Sequence, residues 1–84
     1  MKLHPIYFFQ TRVGSFSICV SDDGRFHPVF DNESLGSYHS AVAAADDLAG
    51  GHTFSANGVS DTSVLGIPAD IQDWHKVRAD QQQY

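Results

Sequence analysis

The fold is decided by the stretch Leu35-Gly36-Ser37-Tyr38-His39-Ser40-Ala41-Val42-Ala43-Ala44-Ala45-Asp46-Asp47-Leu48-Ala49-Gly50-Gly51. It predicts a strand end that leads into a short helix over residues 41 to 49. Ser40 is placed to cap this helix by accepting a hydrogen bond from its first turn. Gly50 or Gly51 is expected to end it in the left-handed conformation. Because alanine side chains are short, the apolar face of this helix can lie close against a sheet.

The residues before this stretch predict an antiparallel sheet. The first strand, Ile6 to Arg12, is rich in aromatic residues, and a glycine-containing turn is expected over residues 13 to 15. The second strand, Phe16 to Val20, alternates apolar and polar residues, as a half-buried strand does. Asp23-Gly24 then predicts a hairpin turn over residues 21 to 24.

The third strand is predicted over Arg25 to Phe30. Pro28 lacks a backbone donor, which places this strand at an edge of the sheet or beside a bulge. Residues 31 to 34 are expected to form a polar turn, and Leu35 to Tyr38 are the candidate for a short fourth strand.

After the helix the pattern becomes less regular. Gly51 to Leu65 is polar and serine-rich, which predicts a loop of a length that often carries function. Pro68 suits the first turn of a second short helix. The apolar residues of that helix recur at three-residue spacing along one side: Ile71, Trp74 and Val77.

These elements predict an α+β fold of two layers. The expected sheet is antiparallel, with three or four strands as alternatives. It packs on one short helix, and a second short helix is expected near the C-terminus. An 84-residue chain has room for a single core, so residues 1–77 are expected to form one small domain. Residues 78–84 are predicted to be a flexible polar tail.

Composition narrows the classes of partner. Five Lys and Arg stand against ten Asp and Glu, which gives a formal net charge of −5. This balance repels a phosphate backbone and an anionic membrane surface, so neither nucleic acid nor a membrane is an expected partner. The single cysteine, Cys19, cannot form an intramolecular disulfide, and the N-terminus lacks a signal-peptide pattern. We therefore expect a cytoplasmic protein.

No residue pattern indicates catalysis, a cofactor or a metal. The five histidines form no His-x-x-His or His-Glu-x-x-His pattern, the spacings typical of metal sites. His39 and His52 flank the helix and, with Asp46 or Asp47, come nearest to a ligand set. Cys19 lies in mid-strand, with no helix N-terminus to lower its thiol pKa. We expect no enzyme activity, no cofactor and no metal.

The first strand indicates an interaction surface, because its consecutive apolar residues point to both faces of the sheet. If the apolar residues of the second strand face the helix, three residues face the other way: Cys19, Val29 and either Tyr7 or Phe9. One helix covers one face only. The other face has to be covered by Trp74 and its helix, by the long loop or by a partner.

A second candidate surface lies at the end of the predicted helix. Asp46 and Asp47 stand in the half of the helix where its dipole disfavours negative charge. They are either a solvated face or, together with His52 and the adjoining loop, a docking surface for a basic partner. The candidate partner-binding residues are Tyr7, Phe9, Asp46, Asp47, His52 and Trp74.

Two resemblances bear on this interpretation. The pattern Leu35-Gly36-Ser37-Tyr38, Ser40 and Ala44-Ala45 resembles the Leu-Gly-Thr-Phe…Thr…Ala-Ala signature of the plant ethylene-response-factor DNA-binding domain, whose plan is shared by integrase arm-type DNA-binding domains. The match covers residues 14–49 and implies an antiparallel sheet packed on one helix. Those families grip DNA with Arg and Trp on the sheet, whereas here Arg12 and Arg25 are the only candidates and the single Trp lies elsewhere.

The wider pattern, residues 44–54 together with Leu65-Gly66-Ile67-Pro68, resembles a family of small uncharacterised bacterial proteins of unknown function and implies no activity. The sequence therefore predicts a small non-catalytic protein-interaction domain that acts through a homodimer or a larger protein partner. The alternative is a nucleic-acid-associated module that uses the sheet.

Overall fold

The computed structural model describes residues 2–53 and 61–77, and these form an α+β fold. A five-stranded antiparallel sheet in the order β4-β3-β2-β1-β5 packs on one α-helix. The strands are β1 Leu3–Thr11, β2 Gly14–Ser21, β3 Phe26–Phe30, β4 Glu33–Ser34 and β5 His75–Lys76, and the helix is α1 Ala41–Gly50. Three-residue 3₁₀ turns lie at Thr62–Val64 and Ile71–Asp73.

The local predictions around the helix are confirmed. The Ser40 hydroxyl accepts a hydrogen bond from the backbone N–H of Ala43 at 3.1 Å, and Gly51 is the left-handed residue that ends the helix, with φ of 78°. Thr62 donates to the carbonyl of Leu48 at 2.6 Å and so satisfies an acceptor that the helix end leaves open. None of the helices among the described residues is long and apolar enough to cross a membrane.

The predicted number of strands is wrong, because the sheet has five strands rather than three or four. β4 falls inside the predicted polar turn, since Asp31 and Asn32 take positive φ angles of 54° and 65° and make a tight connection that these two residue types tolerate. Tyr38 contributes a single bridge to Phe26. β3 is therefore not the edge strand. Only Val29 and Phe30 of β3 pair with β4, so Pro28 lies just beyond the paired residues.

The predicted second helix is a single 3₁₀ turn. The Asp70 side chain caps this turn by accepting from the N–H of Gln72 at 2.9 Å, and the chain becomes extended at Trp74. The indole N–H of Trp74 donates to the carbonyl of Pro68 at 2.9 Å. His75–Lys76 then pair with β1, which gives their backbone groups partners that one short helical turn would leave open.

The core lies between the sheet and α1. Phe16 and Ile18 of β2 are fully buried, as are Ala44, Ala45 and Leu48 of α1. The remaining buried members of this cluster come from the connecting segments: Leu35, Leu65, Ile67 and Trp74. The small side chains of α1 allow the close helix–sheet approach that the sequence predicts. The predicted tail at 78–84 and part of the predicted loop lie outside the described residues.

The register of β1 corrects one prediction about the faces of the sheet. The first turn is Arg12–Val13 rather than residues 13 to 15, so Thr11 pairs with Gly14. Phe9 consequently lies opposite Phe16, and Tyr7 opposite Ile18. A turn at residues 13 to 15 would pair Arg12 with Phe16, whereas Phe9 takes that place, three residues earlier. Because successive side chains of a strand alternate between the two faces, this odd shift turns the side chains of β1 to the opposite face. Neither Tyr7 nor Phe9 faces away from the helix, and the prediction that one of them does is wrong.

Candidate functional site: the outer face of the sheet

The sheet has a face that no helix among the described residues covers. α1 and the two 3₁₀ turns lie on the side of Phe16 and Ile18, and strand residues alternate between the two sides. We call the opposite side the outer face. The register assigns to it Leu3, Pro5, Phe8, Gln10, Ser15, Ser17, Cys19, Ser21, His27, Val29, Ser34 and His75.

The outer face carries no Asp, Glu, Lys or Arg among these strand residues, although the chain as a whole has a net charge of −5. Its polar members are mostly serines, of which Ser15 and Ser34 are exposed and Ser17 is half-buried. The acidic residues of the described chain lie in turns, on α1, in β4 and in the 3₁₀ segments. Away from Ser21, whose hydroxyl donates to the carboxylate of Asp23, the strand residues of this face can lose their water without the desolvation of an ion.

A groove runs across the outer face. It has a volume of about 340 Å³ and its lining combines apolar and small polar side chains: Leu3, Pro5, Ser17, Cys19, Val29 and Asn32. We call it the outer groove. A second depression, of about 400 Å³, lies near the Arg12–Val13 turn and is bounded by Phe30 and Asp31. That depression sits at the end of the sheet, next to a carboxylate, and is less suited to an apolar ligand.

An exposed aromatic ring stands beside the outer groove. Phe8 lies opposite Ser17, which lines the groove, and 38% of its surface is exposed. Its ring stacks on the imidazole of His75 with centroids 5.2 Å apart and an interplanar angle of 26°. The stack holds the ring in one place, so a partner that contacts Phe8 loses less side-chain entropy than with a free side chain.

Cys19 and His27 form a cross-strand pair on the outer face. Burial raises the pKa of the Cys19 thiol, which keeps the sulfur protonated and a poor nucleophile near neutral pH. The Nδ1 atom of His27 lies 2.8 Å from the carbonyl oxygen of Gly36 and therefore donates to it. The buried Nε2 atom has no hydrogen-bond partner, and no group of three or more His, Cys, Asp or Glu within residues 2–53 and 61–77 could hold a metal ion.

Three of the residues proposed from the sequence belong to the inner side of the sheet. Trp74 is buried, with 5% of its surface exposed, and its ring lies 5.9 Å from that of Phe9. Tyr7 and Phe9 are half-buried and pack against the core. These residues together cover part of the inner face and are not presented as an exposed set.

The other three lie on the helix layer. Asp46 is exposed. Asp47 lies beside Tyr38, and burial together with the carboxylate of Asp47 raises the pKa of the Tyr38 phenol to about 12. The backbone N–H of His52 donates to the carbonyl of Asp47 at 2.9 Å. The structure thus brings Asp47 and His52 together at the end of α1, and it does not join them to Tyr7, Phe9 or Trp74.

The two arginines that the DNA-binding resemblance singles out are bonded within the chain. Arg25 donates from Nε to the hydroxyl of Ser37 at 2.8 Å. Its Nη1 atom lies 3.2 Å from Nδ1 of His39. Arg12 donates to the carbonyl of Val64 at 3.0 Å. Neither arginine lies within a strand.

Sequence reasoning missed Phe8 and the outer groove. The signal for Phe8 is present, because Ile6 to Phe9 are all apolar and every second residue of that run has to face away from the core. Whether Phe8 or Phe9 faces away depends on whether the turn begins at Arg12 or at Val13. No protein-family model, curated protein or solved structure matches the chain, so its function has to be inferred from this geometry.

Proposed function

We propose that this chain is a small non-catalytic protein-interaction domain, and that the outer face is its binding surface. The observation that carries the proposal is the exposed ring of Phe8 beside the outer groove on an uncharged face of an acidic chain. An aromatic side chain next to a desolvated pocket is the arrangement that dominates binding energy in many protein interfaces.

The composition of the outer face suits contact with another folded surface. Ser17 is small and only half-buried, so a partner can approach the sheet between Leu3 and Val29. The thiol of Cys19 stays neutral because burial raises its pKa, and it therefore adds to the apolar area. We also propose a cytoplasmic location, where a thiol at the floor of a binding groove stays reduced.

The nucleic-acid alternative receives less support. Binding to a phosphate backbone needs Lys or Arg at the contact surface, whereas the described strand residues of the outer face include none and Arg12 and Arg25 donate to groups of the same chain. A catalytic role for Cys19 would need a thiolate, which burial disfavours.

Site-specific photo-crosslinking in the native cells tests the proposed function. A photoreactive amino acid is placed at Ser15 or Gln10, which are exposed on the outer face but do not line the outer groove, and at Val42 on α1 as the control, since Val42 is also exposed. We expect a discrete adduct from the outer-face positions, which disappears when Phe8→Lys is added. The absence of an adduct from both outer-face positions, or an adduct from Val42 alone, would overturn the proposal.

A further inference from the structure

We propose that the occupant of the outer face is a second copy of this chain, packed sheet against sheet about a two-fold axis. This inference rests on the proposed function and names the partner. Its basis is that the outer face carries both halves of a self-complementary contact, the partly exposed ring of Phe8 and the outer groove next to it.

The relative position of ring and groove fits a two-fold arrangement. Phe8 lies opposite Ser17, at one end of the groove that continues past Cys19 toward Leu3. A two-fold axis that lies in the plane between the two outer faces, and passes between Phe8 and the groove of each copy, places Phe8 of each copy over the groove of the other. In such an isologous interface the same contact is made twice, so one aromatic residue per chain contributes two buried rings.

The groove is large enough for this ring. A cavity of about 150 Å³ lined by apolar side chains holds a benzene molecule, and the outer groove measures about 340 Å³. Phe8 is already held by the stack on His75. Insertion therefore requires little reorganisation of the ring or of the strand that carries it.

The charge distribution favours a second copy over a charged partner. A strongly basic protein would be attracted to the acidic turns and to Asp46 on α1, not to a face without ions. A face whose strand residues are apolar or uncharged polar is matched by another of the same kind, and the chain's own outer face is one. The net charge of −5 on each copy still repels at a distance, so added salt should strengthen this dimer rather than weaken it.

The size of the face sets the expected affinity. Stable interfaces use roughly 20–30 residues on each side, and the outer face has fewer than this, with Cys19, Ser21 and His27 among them buried. We therefore expect a weak dimer, with a dissociation constant on the order of 10–100 µM, which forms and dissociates with concentration.

Sedimentation equilibrium of the purified, reduced chain tests the inference. Between about 1 µM and about 1 mM the mean mass should rise from that of one chain toward twice that value. Phe8→Lys should raise the dissociation constant at least about tenfold, and Val42→Lys, which changes the net charge by the same amount, should leave it unchanged. Ser17→Lys, which fills the outer groove with a charge, should act like Phe8→Lys.

Circular dichroism of each variant separates lost association from lost folding. A monomer at all concentrations, or equal loss in Phe8→Lys and Val42→Lys, would overturn the second copy as occupant. The proposed function would survive that result if photo-crosslinking from Ser15 still gave an adduct with a different protein. The proposed function would fail together with the dimer if no adduct formed from any outer-face position. The two failures are therefore distinguishable.

Discussion

Phe8 and Phe9 show how one sequence position decides between core and surface. The two residues are chemically identical, yet Phe9 packs near Trp74 and Phe8 is exposed beside the outer groove. The sequence predicts correctly that the run from Ile6 to Phe9 has to serve both faces. It does not predict which phenylalanine serves which, because that depends on whether the turn begins at Arg12 or at Val13.

The stability of two single variants tests this assignment. Phe9→Ala should lower the free energy of unfolding by about 2–4 kcal/mol, since truncating a buried phenylalanine costs about 3–5 kcal/mol and Phe9 is only half-buried. Phe8→Ala removes mainly the stack on His75 and should cost at most about 1 kcal/mol.

Urea denaturation at low protein concentration measures both values without a contribution from association. Equal losses in the two variants, or a larger loss for Phe8→Ala, would contradict the observed register.

At the scale of elements, the sequence predicts what is encoded locally. The helix follows from Ser40, the alanines and Gly51, each of which acts on neighbouring residues. The second helix fails because the alternative, β5, gains its backbone partners from β1, about seventy residues earlier in the chain. Three-residue spacing at Ile71 and Trp74 fits one 3₁₀ turn as well as a helix, so the local pattern does not decide between them.

The contact between α1 and the segment after β4 has a titratable signature. Burial first, and the carboxylate of Asp47 second, raise the pKa of Tyr38 to about 12, above the value of about 10 expected in the unfolded chain. The stability associated with the neutral phenol is therefore complete below about pH 10 and is lost as the pH rises to about 12.

Thermal unfolding in this range should show a smaller alkaline decrease in Tm for Tyr38→Phe than for the unmodified chain. Asp47→Asn is the matched control, since it removes the charge and retains the shape, and it should lower the pKa of Tyr38. An identical alkaline decrease in all three proteins would refute a raised pKa at this contact.

At the scale of the whole molecule, charge and apolar surface are separated. The described acidic residues lie off the outer face, and the strand residues of that face carry no charge. Composition alone predicts the acidity and the preference for a protein partner over a phosphate backbone. It does not predict the separation, because the faces exist only once the register of three strands has been set.

Chemical-shift mapping by NMR as a function of concentration tests most directly whether the outer face is where two copies meet. Between about 50 µM and about 1 mM, the methyl signals of Leu3 and Val29 and the amide signals of Phe8 and Ser17 should move together. Those of Val42 and Ala45 should stay in place. Shifts that are confined to α1, or spectra that do not change with concentration, would contradict self-association through the outer face.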